Sequence, residues 1–429
     1  MGFIAMTTAL AVPQAPRSSL VALLTNRSLQ DGAFAALMVI ARIPSSVGMP
    51  GAFVFLLLAG IYVAIRLEQT CDALRRCWFL LVFPAFALLS AVWAIYPEVT
   101  LRYAVQMTLT ALAGLLLSQA AQPRAVLTGL FVAYAGYTVA SLTAGNIHPD
   151  GMGGALALYG LGGEAKNYFA DTAGTAVLLS LIMLVTGIER GSPVLAVFSG
   201  GMSAICVLTT VRAHSAGAVA SLALAAGLLT ALLVLRTRSP ALKLAFAATV
   251  VCTFALCLLF FQPLMATVQE LSAKDSGLTG RGYLWYRAEF IIAQRPWLGM
   301  GYFGFWHPAN PDAIGLWRYF DVHQEGTGFS FHNSYIQTMV ETGYIGLAIM
   351  LGGWIAGIIA LLRRFALTPS LATCFWLSYM AMELSKSPVE PIRPAALVAP
   401  TIMLFAALGF GWFPVGKAGT ARTTQPGSG

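Results

Sequence analysis

Apolar stretches of about 20 residues recur along almost the whole chain with short polar breaks between them, and that repetition leaves few folds open. A helix of that length spans the roughly 30 Å hydrocarbon core of a bilayer. The stretches are continuous rather than alternating, which excludes a transmembrane β-barrel. The chain is 58% hydrophobic and only 10% charged over 429 residues, a balance that points to lipid as the solvent rather than to a soluble core. The expectation is an all-α, polytopic transmembrane helix bundle.

The spacing predicts about 12 spans, near residues 31–49, 50–66, 78–95, 103–120, 124–145, 169–188, 192–211, 213–235, 241–264, 335–362, 369–384 and 394–413. The first carries Arg42, Pro44, Ser45 and Ser46, so a full span and an interfacial or broken helix both remain open. The organisation that follows is a cytoplasmic N-terminal segment (1–30), nine spans (31–264), a large periplasmic loop (265–334), three more spans (335–413) and a disordered cytoplasmic tail (414–429).

Orientation comes from the basic residues. With both termini cytoplasmic, 14 of the 25 Lys and Arg residues lie inside against four acids (Asp31, Glu68, Asp72 and Glu189), while the outside holds 11 cations and 13 acids. This is the positive-inside pattern, so the net charge of +8 reports topology and not nucleic-acid binding. No basic stretch precedes the mild apolar run at the N-terminus, and Met6 spoils the myristoylation pattern that Met1-Gly2 begins, so neither a cleaved signal nor a lipid anchor is expected. The six cysteines fall in spans or cytoplasmic turns, which argues against a disulfide framework or a zinc site. No metal or cofactor is expected.

The longest polar interruption, from about Met265 to Ser334, falls outside in this topology, and loops that long in a compact protein are usually functional. Within it Leu284, Ala288, Ile291 and Ile292 recur at helical spacing, which predicts a short amphipathic helix on the membrane surface or over the bundle. Gly299-Met300-Gly301-Tyr302-Phe303-Gly304 then matches the dinucleotide-binding fingerprint letter for letter. It lacks the strand before it and the helix after it that such a site requires, so it reads as a tight glycine turn among interfacial aromatics.

Charges near membrane depth are costly, and those that persist are candidates for function. Arg212 and His214 sit in a very short outer turn between two apolar spans, Arg281 opens the amphipathic helix, and His332-Asn333 closes the loop. Lys166-Asn167 and Arg102 begin two further spans. Arg102 also fits an interfacial anchor that snorkels to headgroups, whereas Arg212 has no room for a solvated loop. His332 fits a capping residue as well as a catalyst, and His148, His214, His307 and His323 fit packing or loop positions. Glu341 and Glu383 are placed to pair with the outer cations, and Trp285, four residues after Arg281, to stack on it.

Two or three arginines converging with one histidine suit a substrate with two adjacent phosphates, because guanidinium is a permanently charged, planar fork of donors. A polyprenyl pyrophosphate, with its chain in lipid and its headgroup at the interface, is such a substrate. Fixed cations stabilise the leaving pyrophosphate, and a histidine accepts the proton of an acceptor hydroxyl near neutral pH.

Three motifs bring a resemblance into view. They are Leu278-Thr279-Gly280-Arg281-Gly282-Tyr283-Leu284-Trp285, Arg295-Pro296-Trp297-Leu298-Gly299-Met300-Gly301, and His332-Asn333-Ser334-Tyr335 with Glu341-Thr342-Gly343-Tyr344-Ile345-Gly346-Leu347. In that order they resemble the shared core of the O-antigen ligase and polymerase family. Ser90 to Tyr96 with Pro97 and Thr100-Leu101-Arg102 looks like the tryptophan and proline motif of its exopolysaccharide-polymerase branch. Ala165-Lys166-Asn167 is similar to that branch's histidine-lysine-asparagine motif, with alanine in place of the histidine, and Val211 stands where a serine usually precedes the arginine of Thr209 to Arg212.

The resemblance implies a membrane glycosyltransferase fold of the GT-C-like type and metal-independent, inverting transfer from an undecaprenyl-pyrophosphate-linked glycan donor. It implies Arg212 and Arg281 as the pyrophosphate grip and His332 as the base, with Lys166, Asn167, Arg102, Asn333 and His214 as secondary candidates. The acceptor is a glycan for a polymerase, toward which the upstream motifs lean, or lipid A core for a ligase. A transporter or flippase for an anionic solute is the rival of another class, but no pair of related halves is visible in the chain.

Overall fold

The computed structural model describes residues 25–43, 48–120, 122–149, 156–260, 280–322 and 329–413. The expected terminal segments therefore lie largely outside the described residues, as do the start of the long loop, His323 and the Pro44 to Ser46 break.

The described chain is mostly helical. The helices are α1 (Arg27–Ile40), α2 (Gly48–Ile65), α3 (Leu67–Cys77), α4 (Val82–Leu89), α5 (Pro97–Ser118), α6 (Pro123–Ala144), α7 (Lys166–Glu189), α8 (Pro193–Arg212) and α9 (Ala216–Leu235). They continue with α10 (Pro240–Leu259), α11 (Arg281–Gln294), α12 (Pro311–Tyr319), α13 (Ser334–Leu367), α14 (Leu371–Lys386) and α15 (Ala399–Phe410). An antiparallel hairpin, β1 (Ile147–Pro149) with β2 (Leu156–Leu158), interrupts the all-α expectation between α6 and α7, pairing Ile147 with Leu158.

Among the described residues, eight helical stretches are long and apolar enough to cross a membrane, and one of them, Leu67–Val92, joins α3 to α4. The chain is thus a multi-pass membrane protein. The other four expected spans fall on α1, α10, α14 and α15. The 14 residues of α1 reach only about 21 Å. α14 has 16 residues and α15 has 12, while α10 runs for 20 residues.

Local chemistry marks the helix ends. Proline opens α5, α6, α8 and α12, where the missing N–H costs nothing. The Asn333 side chain caps α13 by accepting from the N–H groups of Tyr335 and Ile336. Alternation of direction along the chain puts the hairpin, the Arg212 end of α8, the start of α13 and the end of α14 at one end of the bundle, here called the loop end.

The described part of the long loop, here called the lid, has its own small core. The four residues singled out by spacing, Leu284, Ala288, Ile291 and Ile292, are the buried face of α11, and they pack with Phe305, Trp317, Phe331 and Val340. The glycine segment does not hold a nucleotide-type turn; it lies along a break in α13. At Gly343 the backbone turns to φ 67°, a left-handed conformation, and the helix ladder is interrupted. The carbonyls of Val340 and Glu341 accept instead from Met300 N–H (3.0 Å) and Gly301 N–H (2.9 Å), while Tyr344 N–H donates to Pro296 O at 2.8 Å. A Cβ on Gly343 would sit 2.2 Å from the Trp297 carbonyl carbon, so glycine is required there.

The upstream tryptophan segment secures the other side of the same loop. Trp93 Nε1 donates to Leu298 O at 2.9 Å, Ile95 N–H to Met300 O at 3.1 Å, and Tyr302 N–H to Ser90 Oγ at 3.0 Å. Motifs far apart in sequence thus build one backbone seam.

Candidate active site

The charged groups of the loop end gather on the segment between α14 and α15, residues 387–398. This segment turns back at once, because the N–H groups of Val389 and Glu390 both donate to Lys386 O at 2.8 Å. Its second anchor is Ser334 Oγ, which donates to Glu390 O at 2.8 Å. Prolines at 388, 391 and 394 keep it out of a helix.

Glu390 is the hub. Its Oε1 takes Arg281 Nη2 at 2.9 Å and Asn167 Nδ2 at 3.4 Å, and its Oε2 lies 3.5 Å from His332 Nδ1. Arg281 is fixed further by Nη1 donating to Val389 O at 2.6 Å. A guanidinium has five donors, so Arg281 keeps N–H groups for another anion. Burial favours the protonated form of the Glu390 carboxyl, but the adjacent His332 imidazole and the Arg281 charge outweigh it and hold the group below the usual carboxylate range.

His332 is held by its neighbours more than by its own side chain. Its backbone adopts φ 47°, uncommon for a residue with a Cβ, between the fully buried Phe331 and the α13 cap Asn333. Trp285 Nε1 donates to Phe331 O at 2.8 Å, and His332 N–H donates to Ser330 Oγ at 3.2 Å. The imidazole is about one-third exposed, at 32%, and its Nδ1 faces Glu390 Oε2 at 3.5 Å. A positive φ at a residue with a Cβ is a feature that clusters at functional sites.

Two more ion-pair sets flank the hub. Lys386, 3% exposed, reaches Asp171 Oδ1 at 2.7 Å and Glu383 Oε1 at 3.2 Å. Arg393 Nη2 meets Glu341 Oε1 at 2.9 Å, with its guanidinium 5.0 Å from the Phe303 ring centroid and 5.5 Å from that of Tyr302. Gln337 Nε2 donates to the same Glu341 oxygen at 2.7 Å, while its Oε1 accepts from Phe331 N–H and Trp306 Nε1. This network ties the His332 segment to the membrane helices.

Of the residues singled out from sequence, Arg281, His332 and Asn167 meet here. Lys166 is half-buried beside Asn167 at the start of α7. Asn333 serves as a helix cap, 8% exposed. Arg212 is exposed at the loop end of α8 and makes no ion pair or hydrogen bond with this cluster; His214, at φ 51°, is exposed in the turn that follows. Arg102 is exposed on the second turn of α5, its guanidinium 5.7 Å from the Tyr103 ring centroid.

The expected stacking of Trp285 on Arg281 is replaced. The indole N–H is committed to Phe331 O and the guanidinium to Glu390 and Val389, so the two groups serve different partners. Glu341 and Glu383 do pair with cations, but with Arg393 and Lys386. Glu390, Arg393, Lys386 and Asp171 escaped the sequence reading. The available signal was the stretch Lys386 to Pro394, in which three charges and three prolines crowd a short break between apolar segments.

The chain is similar to known proteins in this region. The family model described as O-antigen ligase matches residues 201–351, which include Arg212, Arg281 and His332. The exopolysaccharide production protein ExoQ of Rhizobium meliloti (strain 1021) is 28% identical over 277 residues, covering 63% of this chain and 62% of that protein, so the match spans less than two thirds of the relative.

Proposed function

With an O-antigen ligase domain over residues 201–351 as the premise, we propose that this protein transfers an undecaprenyl-pyrophosphate-linked glycan to a sugar hydroxyl at the periplasmic face of the inner membrane. The single observation that carries the reading is the meeting of Arg281 and His332, 51 positions apart in sequence, on the carboxylate of Glu390.

Glu390 faces Nδ1 of His332 and leaves Nε2 to receive the proton of the acceptor hydroxyl. The hydroxyl oxygen attacks the anomeric carbon, the bond from that carbon to the pyrophosphate oxygen breaks, and the electron pair departs on undecaprenyl pyrophosphate with inversion. Arg281 meets the growing charge with its remaining N–H donors, and Arg212, which has no carboxylate partner among the described residues, supplies a second guanidinium from α8. These forks supply the countercharge that a divalent ion supplies in other transferases, so the reaction is metal-independent. In this reading the loop end is periplasmic, both termini are cytoplasmic, and the hub segment and lid form the catalytic end of a GT-C-like bundle.

Polymerisation, with the acceptor a lipid-linked glycan, is favoured over ligation to lipid A core. The support is the seam that the upstream tryptophan motif makes with the glycine loop and the similarity to an exopolysaccharide production protein. The test is the glycan profile of cells whose only copy carries His332→Ala. Single repeats in place of long chains support a polymerase; long chains stranded on the lipid carrier with bare lipid A core support a ligase. An unchanged profile sinks both.

A further inference from the structure

Away from the loop end, a cavity of about 640 Å³ opens between α10 and α13. Leu244, Ala247 and Ala248 of α10 face Ile359, Leu362 and Ala366 of α13 across it, at spacings that put each set on one face of its helix. α10 packs principally on α13. A trench of this kind in the side of a bundle does not stay empty in a bilayer, and an all-carbon wall favours an acyl chain.

One end of the trench is not apolar. Arg363 lines it, exposed, at the end of α13 opposite the lid. The neighbouring Arg364 turns the other way, donating from Nη1 to Phe413 O at 2.5 Å with its guanidinium 4.8 Å from the Phe410 ring centroid. Arg363 has no carboxylate partner among the described residues, and neither has Arg238, exposed two residues before α10 begins. Glu189, at the end of α7 on the same side of the bundle, is committed to Arg236. An apolar trench with unneutralised guanidinium at its mouth matches a lipid in both of its parts.

We propose that this cavity is a binding site for an anionic phospholipid, its acyl chain lying between α10 and α13 and its phosphate held by Arg363. Bound there, the lipid wedges α10 against the bundle, and these two helices are the ones between which the long loop is strung. The site is independent of the glycosyl-transfer reading, since none of its residues belongs to the hub around Glu390.

The experiment uses the full chain, purified in a neutral detergent and stripped of lipid. Phosphatidylglycerol should raise its melting temperature while phosphatidylcholine does not, and Arg363→Gln should abolish the difference without lowering the lipid-free melting temperature. A second readout needs no variant: maleimide labelling of Cys252, which is exposed in the cavity wall, should slow several-fold with phosphatidylglycerol and not with phosphatidylcholine, while labelling of exposed Cys71 stays constant. Equal effects of the two lipids on both readouts, or a phosphatidylglycerol effect that survives in Arg363→Gln, would overturn the proposal. Should Arg363→Gln fail to fold, the labelling of Cys252 in the unaltered chain decides alone.

Discussion

His332 Nδ1 lies 3.5 Å from one oxygen of Glu390, and the other oxygen of that carboxylate takes Arg281 at 2.9 Å. A histidine and an arginine from opposite ends of a folded loop are thereby referred to one acid on a third segment. In the proposed mechanism the acid orients the imidazole and holds the guanidinium in register, as a carboxylate does behind a base in other sites.

Replacing Glu390 with Gln keeps its shape and removes its charge. Transfer should fall at least about tenfold, the loss expected for each ~1.4 kcal/mol of transition-state stabilisation, with Asp at the same position restoring part of it. Retained full activity in Glu390→Gln would show that the carboxylate only closes the loop.

The same residue predicts a pH dependence. Its carboxyl is held below the ordinary carboxylate range, so its contribution to folding is complete above the unfolded pKa and is lost as pH falls through the lowered folded value. Melting curves of the unaltered protein in detergent should therefore lose this increment only at acid pH, beneath the usual carboxylate range. Glu390→Gln should lack that step, and an unchanged step would assign it elsewhere.

Arg212 differs from the cations of the hub and of the two ion-pair sets beside it. Arg281, Lys386 and Arg393 each have a carboxylate within 3.2 Å or less, whereas Arg212 is exposed and makes no ion pair among the described residues. Arg212→Ala should leave the melting temperature nearly unchanged, as surface substitutions within ~0.5 kcal/mol do, while glycan transfer collapses. A parallel loss of stability and activity would make it a structural residue.

Much of the fold is legible in the sequence because its signals are local. The apolar stretches became helices, and the spacing of Leu284, Ala288, Ile291 and Ile292 named the buried face of α11 before its partners were known. Glu390 was not legible, since its partners lie 58 and 109 positions away and a charged, proline-rich break reads as a solvated turn. The partners of Asp31 were not legible either. Counted in the sequence only among the cytoplasmic acids, it is fully buried, accepting from Tyr62 OH at 2.9 Å and Gln122 N–H at 3.1 Å with Arg66 at 3.6 Å. Local pattern reports which face of a helix is apolar, and not which distant donor will cover a charge.

The seam between the glycine loop and α13 should be sensitive to a single methyl group. Gly343→Ala must hold φ 67° and bring its Cβ to 2.2 Å from the Trp297 carbonyl carbon. The backbone strain alone costs about 1–3 kcal/mol, so the variant should melt lower and expose the 295–304 segment to protease. Unchanged melting and protection would mean that the break in α13 is not held by this contact.

Trp285→Phe keeps most of the ring and deletes the donor to Phe331 O. The lost hydrogen bond should cost roughly 1 kcal/mol, and release of the His332 backbone should lower kcat more than it raises KM. An effect on KM alone would place Trp285 against substrate and not behind the base.

The most direct test of the central claim is single-turnover release of undecaprenyl pyrophosphate by purified protein, given a lipid-linked glycan donor and its acceptor in the presence of a metal chelator. The unaltered chain should release it, and His332→Gln should bind donor with near-native affinity yet release product orders of magnitude more slowly. Undiminished release by His332→Gln would contradict the assignment of His332 as the base, and loss of release in the unaltered chain on chelation would contradict the claim that arginines alone carry the leaving group.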